Sequence, residues 1–196
     1  MGFQFLFYWV SWILWIICFF FQSDEKKRFY QSSSVLMLII LSNSWIYWND
    51  IGMLVPLMYI FIISLFLLSY SKRKWKSVLG AIAVGFGYGA YQIFEYINPL
   101  WLIFPSTIVL VLVGYLMINY LTDHIYVQIG IWLSGITYGE TLHSLVHYSY
   151  GIDRMFGDDQ YLFHAVLFIV WTITIRFFKR LSKKLRKYVQ AYSFLL

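Results

Sequence analysis

The segment "YGETLHSLVHYSYG" (138–151) places a carboxylate and two imidazoles, Glu140, His143 and His147, in a chain dominated by Leu, Ile, Val, Phe, Trp and Tyr. On a helix turning about 100° per residue, His143 lies about 60° to one side of Glu140, Ser144 about 40° to the other, and His147 about 20° away. The four share one stripe. A second stripe carries Glu95 with Tyr91 and Gln92, and a lone His164 falls near the start of the last apolar run. These residue types allow three chemistries. Two imidazoles and a carboxylate, completed by His164 or Glu95, make a tetrahedral set suited to zinc or another borderline ion, so Glu140, His143, His147 and His164 are the metal candidates. A haem held between His143 or His147 and His164 has the right ligand type. Glutamate and histidine within apolar runs also mark proton and ion paths, and they serve equally as a structural Glu–His pair.

The order of these residues is not HExxH, which sets two zinc ligands around a catalytic glutamate. Ser134-Gly135 lacks the glycine that a GxSG nucleophile needs, no GxSxG occurs, and there is no GxxxxGK[ST] phosphate loop. The residues predict no enzymatic activity and no cofactor. They predict instead a polar pocket of Glu95, Glu140, His143, His147, His164, Gln92 and Tyr91.

Only helices in lipid can position such groups in this chain. Of its 196 residues 61% are hydrophobic and 12% charged, with a mean hydropathy of +0.67, whereas a soluble domain carries roughly 25% charge. The apolar residues come in runs of about 20, the length of a helix that crosses a bilayer. Seven runs qualify, at 3–22, 31–48, 51–70, 77–98, 103–121, 125–148 and 159–178, the second being diluted by serines. The first has no basic residues before it and is read as a retained span, not a cleaved leader. With seven spans, Lys26, Lys27, Arg28, Lys72, Arg73, Lys74, Lys76 and every basic residue from Arg176 onward fall on one side, leaving Arg154 on the other. The positive-inside bias then sets the amino terminus outside and the carboxyl terminus in the cytosol.

The expected architecture is all-α, a polytopic transmembrane helix bundle over residues 1–178 followed by a basic amphipathic cytosolic tail, 179–196. In that tail Lys179, Arg180, Lys183, Lys184, Arg186 and Lys187 alternate with Leu181, Leu185, Tyr188 and Tyr192, a pattern for lying on anionic inner-leaflet lipid. The net charge of +6 belongs to this lipid-facing collar, so nucleic acid is not an expected partner, while a membrane protein is. The single cysteine, Cys18, excludes an intramolecular disulfide.

Aligning "LGAIAVGFGYGAY" (79–91) with "IGIWLSGITYGET" (129–141) superposes Gly80 on Gly130, Gly85 on Gly135, Tyr88 on Tyr138 and Gly89 on Gly139. The echo suggests a parallel repeat of helical hairpins, spans four and five against six and seven. Gly85 with Gly89, and Gly135 with Gly139, are GxxxG pairs, and Ala81 extends the first, so these small residues are expected to pack span four on span six.

At "YQIFEYINPLW" (91–101) and "YGETLHSLV" (138–146) the chain resembles the YphA-like family of small multi-pass membrane proteins from spore-forming Gram-positive bacteria. Chain length, span number, the Phe94-Glu95 helix end running into Asn98-Pro99-Leu100-Trp101, and Gly139-Glu140 carry the resemblance. It implies residence in the cell membrane of such a bacterium and brings no activity or site residue with it. The functional expectation is a non-enzymatic, multi-pass protein whose outward-facing polar pocket is structural or binds a partner or ligand. The alternatives are an ion- or proton-coupled carrier using Glu95, Glu140 and His143, and a metal-binding membrane protein.

Overall fold

The computed structural model describes residues 2–48, 51–97, 106–151 and 155–193, with side chains excepted at Trp48, Ile51 and 187–193. Asp50, Asn98, Pro99, Leu100, Trp101, Asp153, Arg154 and the side chain of Lys187 thus lie outside the described residues. Seven helices follow one another among those described: α1 (Gly2–Phe20), α2 (Glu25–Leu41), α3 (Val55–Leu68), α4 (Lys74–Ile97), α5 (Ser106–Leu121), α6 (Ile125–Ser149) and α7 (Asp159–Ser193). Three of them, Gly2–Phe20, Lys74–Ile97 and the Asp159–Arg186 part of α7, are long and apolar enough to cross a membrane by themselves. Val55–Leu68 and Ser106–Leu121 are apolar but shorter, about 21 and 24 Å at 1.5 Å per residue.

The expected second run, 31–48, is not one helix. Asp24 caps α2 by accepting from the Lys27 backbone N–H, so the helix starts before the serines and ends at Leu41. The aromatic stretch that follows pairs as an antiparallel hairpin, β1 (Trp45–Trp48) with β2 (Ile51–Leu54), in register Trp45↔Leu54 and Tyr47↔Gly52. Aromatic and β-branched residues favour a pleated surface. The hairpin is fastened to the segment before α7, where the Leu54 N–H donates to the Phe156 carbonyl and the Phe156 N–H donates to the Gly52 carbonyl, both at 2.8 Å. Gly157, at φ +86°, turns the chain beneath it, and a Cβ there would meet Leu54. The third run likewise shortens to α3, with Pro56 in its first turn, where a missing N–H costs nothing.

Consecutive helices run in opposite directions. Gln4 at the start of α1 bonds Asn43 beyond the end of α2, while Gln22 past the end of α1 bonds Gln31 near the start of α2. Phe3 packs on Phe163, which sets the beginnings of α1 and α7 side by side. At the other end, Tyr70 meets Tyr126, and Arg176 donates to the Asp123 carbonyl and to Gln128. Lys27, Lys72, Lys76 and Lys179 therefore gather at one end of the bundle, and the hairpin with the ends of α4 and α6 lies at the opposite one. No break separates α7 from the basic tail, so the expected boundary at 178/179 falls inside one helix.

The bundle is apolar outside as well as inside. Trp9, Trp12, Ile40, Ile62, Phe66, Phe86 and Leu116 are exposed, whereas Gln92, Glu140, His143 and His164 are buried. That distribution suits hydrocarbon as the surrounding solvent. At the centre stands α6, buried on every side from Val127 to Thr137 and packed against α3, α4, α5 and α7.

Candidate functional site

The frame of the site is the contact between α4 and α6. Both helices run the same way: Gly80 faces Ile131, Gly85 faces the Gly135 carbonyl and Gly89 faces the Gly139 carbonyl. A Cβ on Gly85 would strike Tyr138 and that carbonyl, and one on Gly135 would lie 2.6 Å from Val84 and 2.9 Å from the Ala81 carbonyl. Ala81, Gly85, Gly89, Gly135 and Gly139 line this contact. Close backbone approach substitutes van der Waals contact for the hydrophobic drive that lipid does not supply.

One turn beyond the seam the helices carry polar groups. Gln92 on α4 donates from Nε2 to Glu140 Oε2 at 2.6 Å, and Glu140 has 0% exposure. A carboxyl group in such a place is costly unless it finds hydrogen-bond donors, and the glycine seam is what brings a donor within reach. Further along the same stripe, the rings of His143 and His147 meet edge to face at 4.3 Å, and Tyr96 covers His147 in the same manner at 5.3 Å. His147 Nδ1–H donates to the His143 carbonyl at 3.0 Å. A carbonyl can only accept, so this bond places a proton on Nδ1.

His164 belongs to a separate arrangement. Its Nδ1 shares a hydrogen bond with the Tyr88 hydroxyl at 3.1 Å and its Nε2 with the Thr107 hydroxyl at 3.2 Å, while its own carbonyl accepts from Trp132 Nε1 at 3.2 Å. Each hydroxyl can donate or accept, so either tautomer of the neutral imidazole is satisfied. The bond pair ties α4, α5 and α7 together, and the Trp132 bond adds α6. With both nitrogens engaged, His164 does not complete a ligand set with Glu140, His143 and His147. Among the described residues no group of three or more His, Cys, Asp or Glu side chains is arranged to hold a metal.

Glu95 is half-buried and accepts from Gln160 Nε2 of α7 at 3.4 Å; Tyr91, one residue before Gln92, is half-buried as well. Six of the seven expected pocket residues are thus tied to neighbours, Gln92 to Glu140, His143 to His147, His164 to two hydroxyls and Glu95 to Gln160, with Tyr91 beside them on α4. Their burial makes the region a closed polar core at its deep end, graded toward half-exposed Glu95 and Tyr91. Thr107, Gln160, and the pair formed by Thr137 and Tyr161 at 2.8 Å, complete it. Nothing in their local sequence marks them, because each partner comes from another helix.

Residues 4–193 match the family model described as YphA-like integral membrane protein. No curated protein and no solved structure matches the chain.

Proposed function

Since the chain belongs to the YphA-like integral membrane protein family, we propose that it is a seven-span protein of the cell membrane, with its amino terminus outside and its carboxyl terminus cytosolic. The alternation of helix directions and the gathering of Lys27, Lys72, Lys76 and Lys179 at one end support that topology through the positive-inside bias. The short α3 and α5 would cross at a locally thinned bilayer or with their flanking turns inside it. The glycine seam, with i facing i+50, supports reading the echo of α4 in α6 as a parallel repeat.

The protein acts without catalysis. Its outer polar core latches α4, α5, α6 and α7 into one arrangement, and the graded rim at Glu95 and Tyr91 is where a ligand or membrane partner would be met. The 2.6 Å bond between Gln92 and the fully buried Glu140 is the observation that carries this reading, since a carboxyl group already held by a neighbouring helix is occupied as a structural tie. An ion- or proton-coupled carrier is the rival, because Glu140 and His143 are ionisable groups within the bundle. Toward the basic end from Glu140, however, Ile136 and Trp132 on α6 and Val84 on α4 are apolar and buried, which offers no polar relay.

Purified protein and a Glu95→Gln/Glu140→Gln variant, reconstituted in liposomes with an internal pH dye, decide between the two. The structural reading expects background proton flux from both proteins under an imposed pH gradient. Flux above background that the double variant abolishes would establish the carrier.

A further inference from the structure

The basic end of the bundle contains a cavity that neither the polar core nor the α7 tail explains. It occupies about 360 Å³ between the α3–α4 turn and the α5–α6 turn, within the range of about 300–1,000 Å³ typical of small-molecule sites. Its rim carries Lys72, Arg73 and Lys76 from one turn and a single carboxylate, Asp123, from the other. Among the described residues the salt bridges are Asp24–Lys27 and Glu25–Arg28, so none of those three cations is paired with a carboxylate. The floor is apolar, made by Leu121, Val127 and Ile131.

Both walls are held in place without a ligand. Ser71 and Ser77 share a hydroxyl hydrogen bond of 2.7 Å, and the Arg73 backbone N–H donates to Ser71 Oγ at 3.2 Å. Opposite them, Gln128 Nε2 donates to the Thr122 carbonyl at 2.6 Å, and Arg176 donates to the carbonyl of Asp123. Fixed walls lower the ordering cost of binding.

We propose that this cavity binds the phosphodiester headgroup of an anionic membrane lipid, with Lys72, Arg73 and Lys76 taking the phosphate and the apolar floor taking the first carbons of the acyl chains. Three cations against one carboxylate select an anion. The floor of Leu121, Val127 and Ile131 selects an amphiphile over a free ion, and exposed Tyr70 lines the cavity with a ring suited to the headgroup region. Such sites lie between helices at the basic end of a membrane bundle. The assignment rests on the cavity alone and holds for either orientation of the protein in the bilayer.

The test uses the full chain in neutral detergent, titrated with short-chain phosphatidylglycerol, short-chain phosphatidylcholine or inorganic phosphate, with binding read from Trp fluorescence and confirmed by native mass spectrometry. Phosphatidylglycerol should bind saturably, at one lipid per chain, at least about tenfold more tightly than either other probe. A Lys72→Gln/Arg73→Gln/Lys76→Gln variant should lose at least about tenfold in that affinity. Lys179→Gln/Lys183→Gln/Lys184→Gln, which removes the same charge from α7, should lose less than about threefold. The substituted positions are exposed, so folding is preserved, and Arg73→Glu alone provides a second variant expected to weaken binding. Equal losses from the two triple variants would reduce the effect to unspecific attraction and overturn the site. Binding of inorganic phosphate as tight as that of phosphatidylglycerol would overturn the lipid assignment.

Discussion

Adding one methyl group at Gly139 is the sharpest probe of the α4–α6 seam. Its Cβ would meet the Gly85 carbonyl and would lie 2.9 Å from Tyr88 Cδ1 and 3.0 Å from Tyr88 Cβ. A backbone carbonyl cannot rotate away, so the helices must separate. Overpacking of this kind costs about 1–3 kcal/mol. It is partly offset by the roughly 0.5–1 kcal/mol that alanine gains over glycine within a helix. Gly87, two residues from Gly85 on the same helix, is the internal control: it is exposed, and a Cβ there meets nothing within 4 Å. Gly87→Ala should therefore collect only the helix term, and the gap between the two variants should equal the overpacking cost, about 1–3 kcal/mol. Reversible unfolding in mixed detergent–SDS micelles, followed by circular dichroism, measures both. Gly139→Ala should further weaken the Gln92–Glu140 tie above it, so that a subsequent Gln92→Ala costs less than it does in the parent chain. Equal stability of Gly139→Ala and Gly87→Ala would refute the close approach and, with it, the account of how Glu140 acquires its partner.

Two further expectations concern other ties. His164→Ala leaves the hydroxyls of Tyr88 and Thr107 without their partner and opens a cavity, which should cost about 2–4 kcal/mol, whereas Tyr88→Phe should cost about 1 kcal/mol. In a double-mutant cycle by SDS unfolding, Tyr88→Phe should be nearly neutral once His164 is gone, and undiminished loss would show that the two do not interact. At the start of α2, the Lys27 backbone N–H and then its ammonium group hold the Asp24 carboxyl below its ordinary value of 3.8. A depressed value means that the cap is at full strength above the ordinary value and fades as pH falls through the lowered one. Hydrogen exchange of the first α2 amides, corrected for intrinsic rates, should accelerate in that acid range in the parent and show no such step in Asp24→Asn.

Hydropathy located the helices well because a lipid-facing helix must be apolar around most of its circumference, and composition alone records that. It failed at residues 31–54, where apolarity and helicity part company. The stretch Trp45–Trp48 is as apolar as its neighbours, and a run of four residues has no measurable period, so a hairpin and a helix end look alike. The better signal lay upstream, since Asp24 followed by Glu25, Lys26 and Lys27 has the form of a helix start.

The candidate site divides along the same physical line. Period within one helix tells which side chains share a face, and it groups Glu140, His143 and His147 on one stripe and the glycines of each helix on one side. It cannot tell what lies opposite. The partners of His164, Tyr88 and Thr107, stand 76 and 57 positions away in sequence, and the choice between metal ligand and doubly bonded imidazole depends wholly on them. The echo between α4 and α6 makes the point more sharply. At the offset of 50 the small residues that touch are matched in kind, yet the carboxyl, amide and imidazole groups of α4 and α6 have apolar counterparts: Glu140 corresponds to Ala90, Gln92 to Leu142, Glu95 to Leu145, His143 to Ile93 and His147 to Ile97. Packing requires both helices of a parallel pair to be small at the same heights, so it imposes the match. A buried carboxyl group requires the reverse, a donor facing an acceptor, and that complementarity drives the two sequences apart at the same end of the seam.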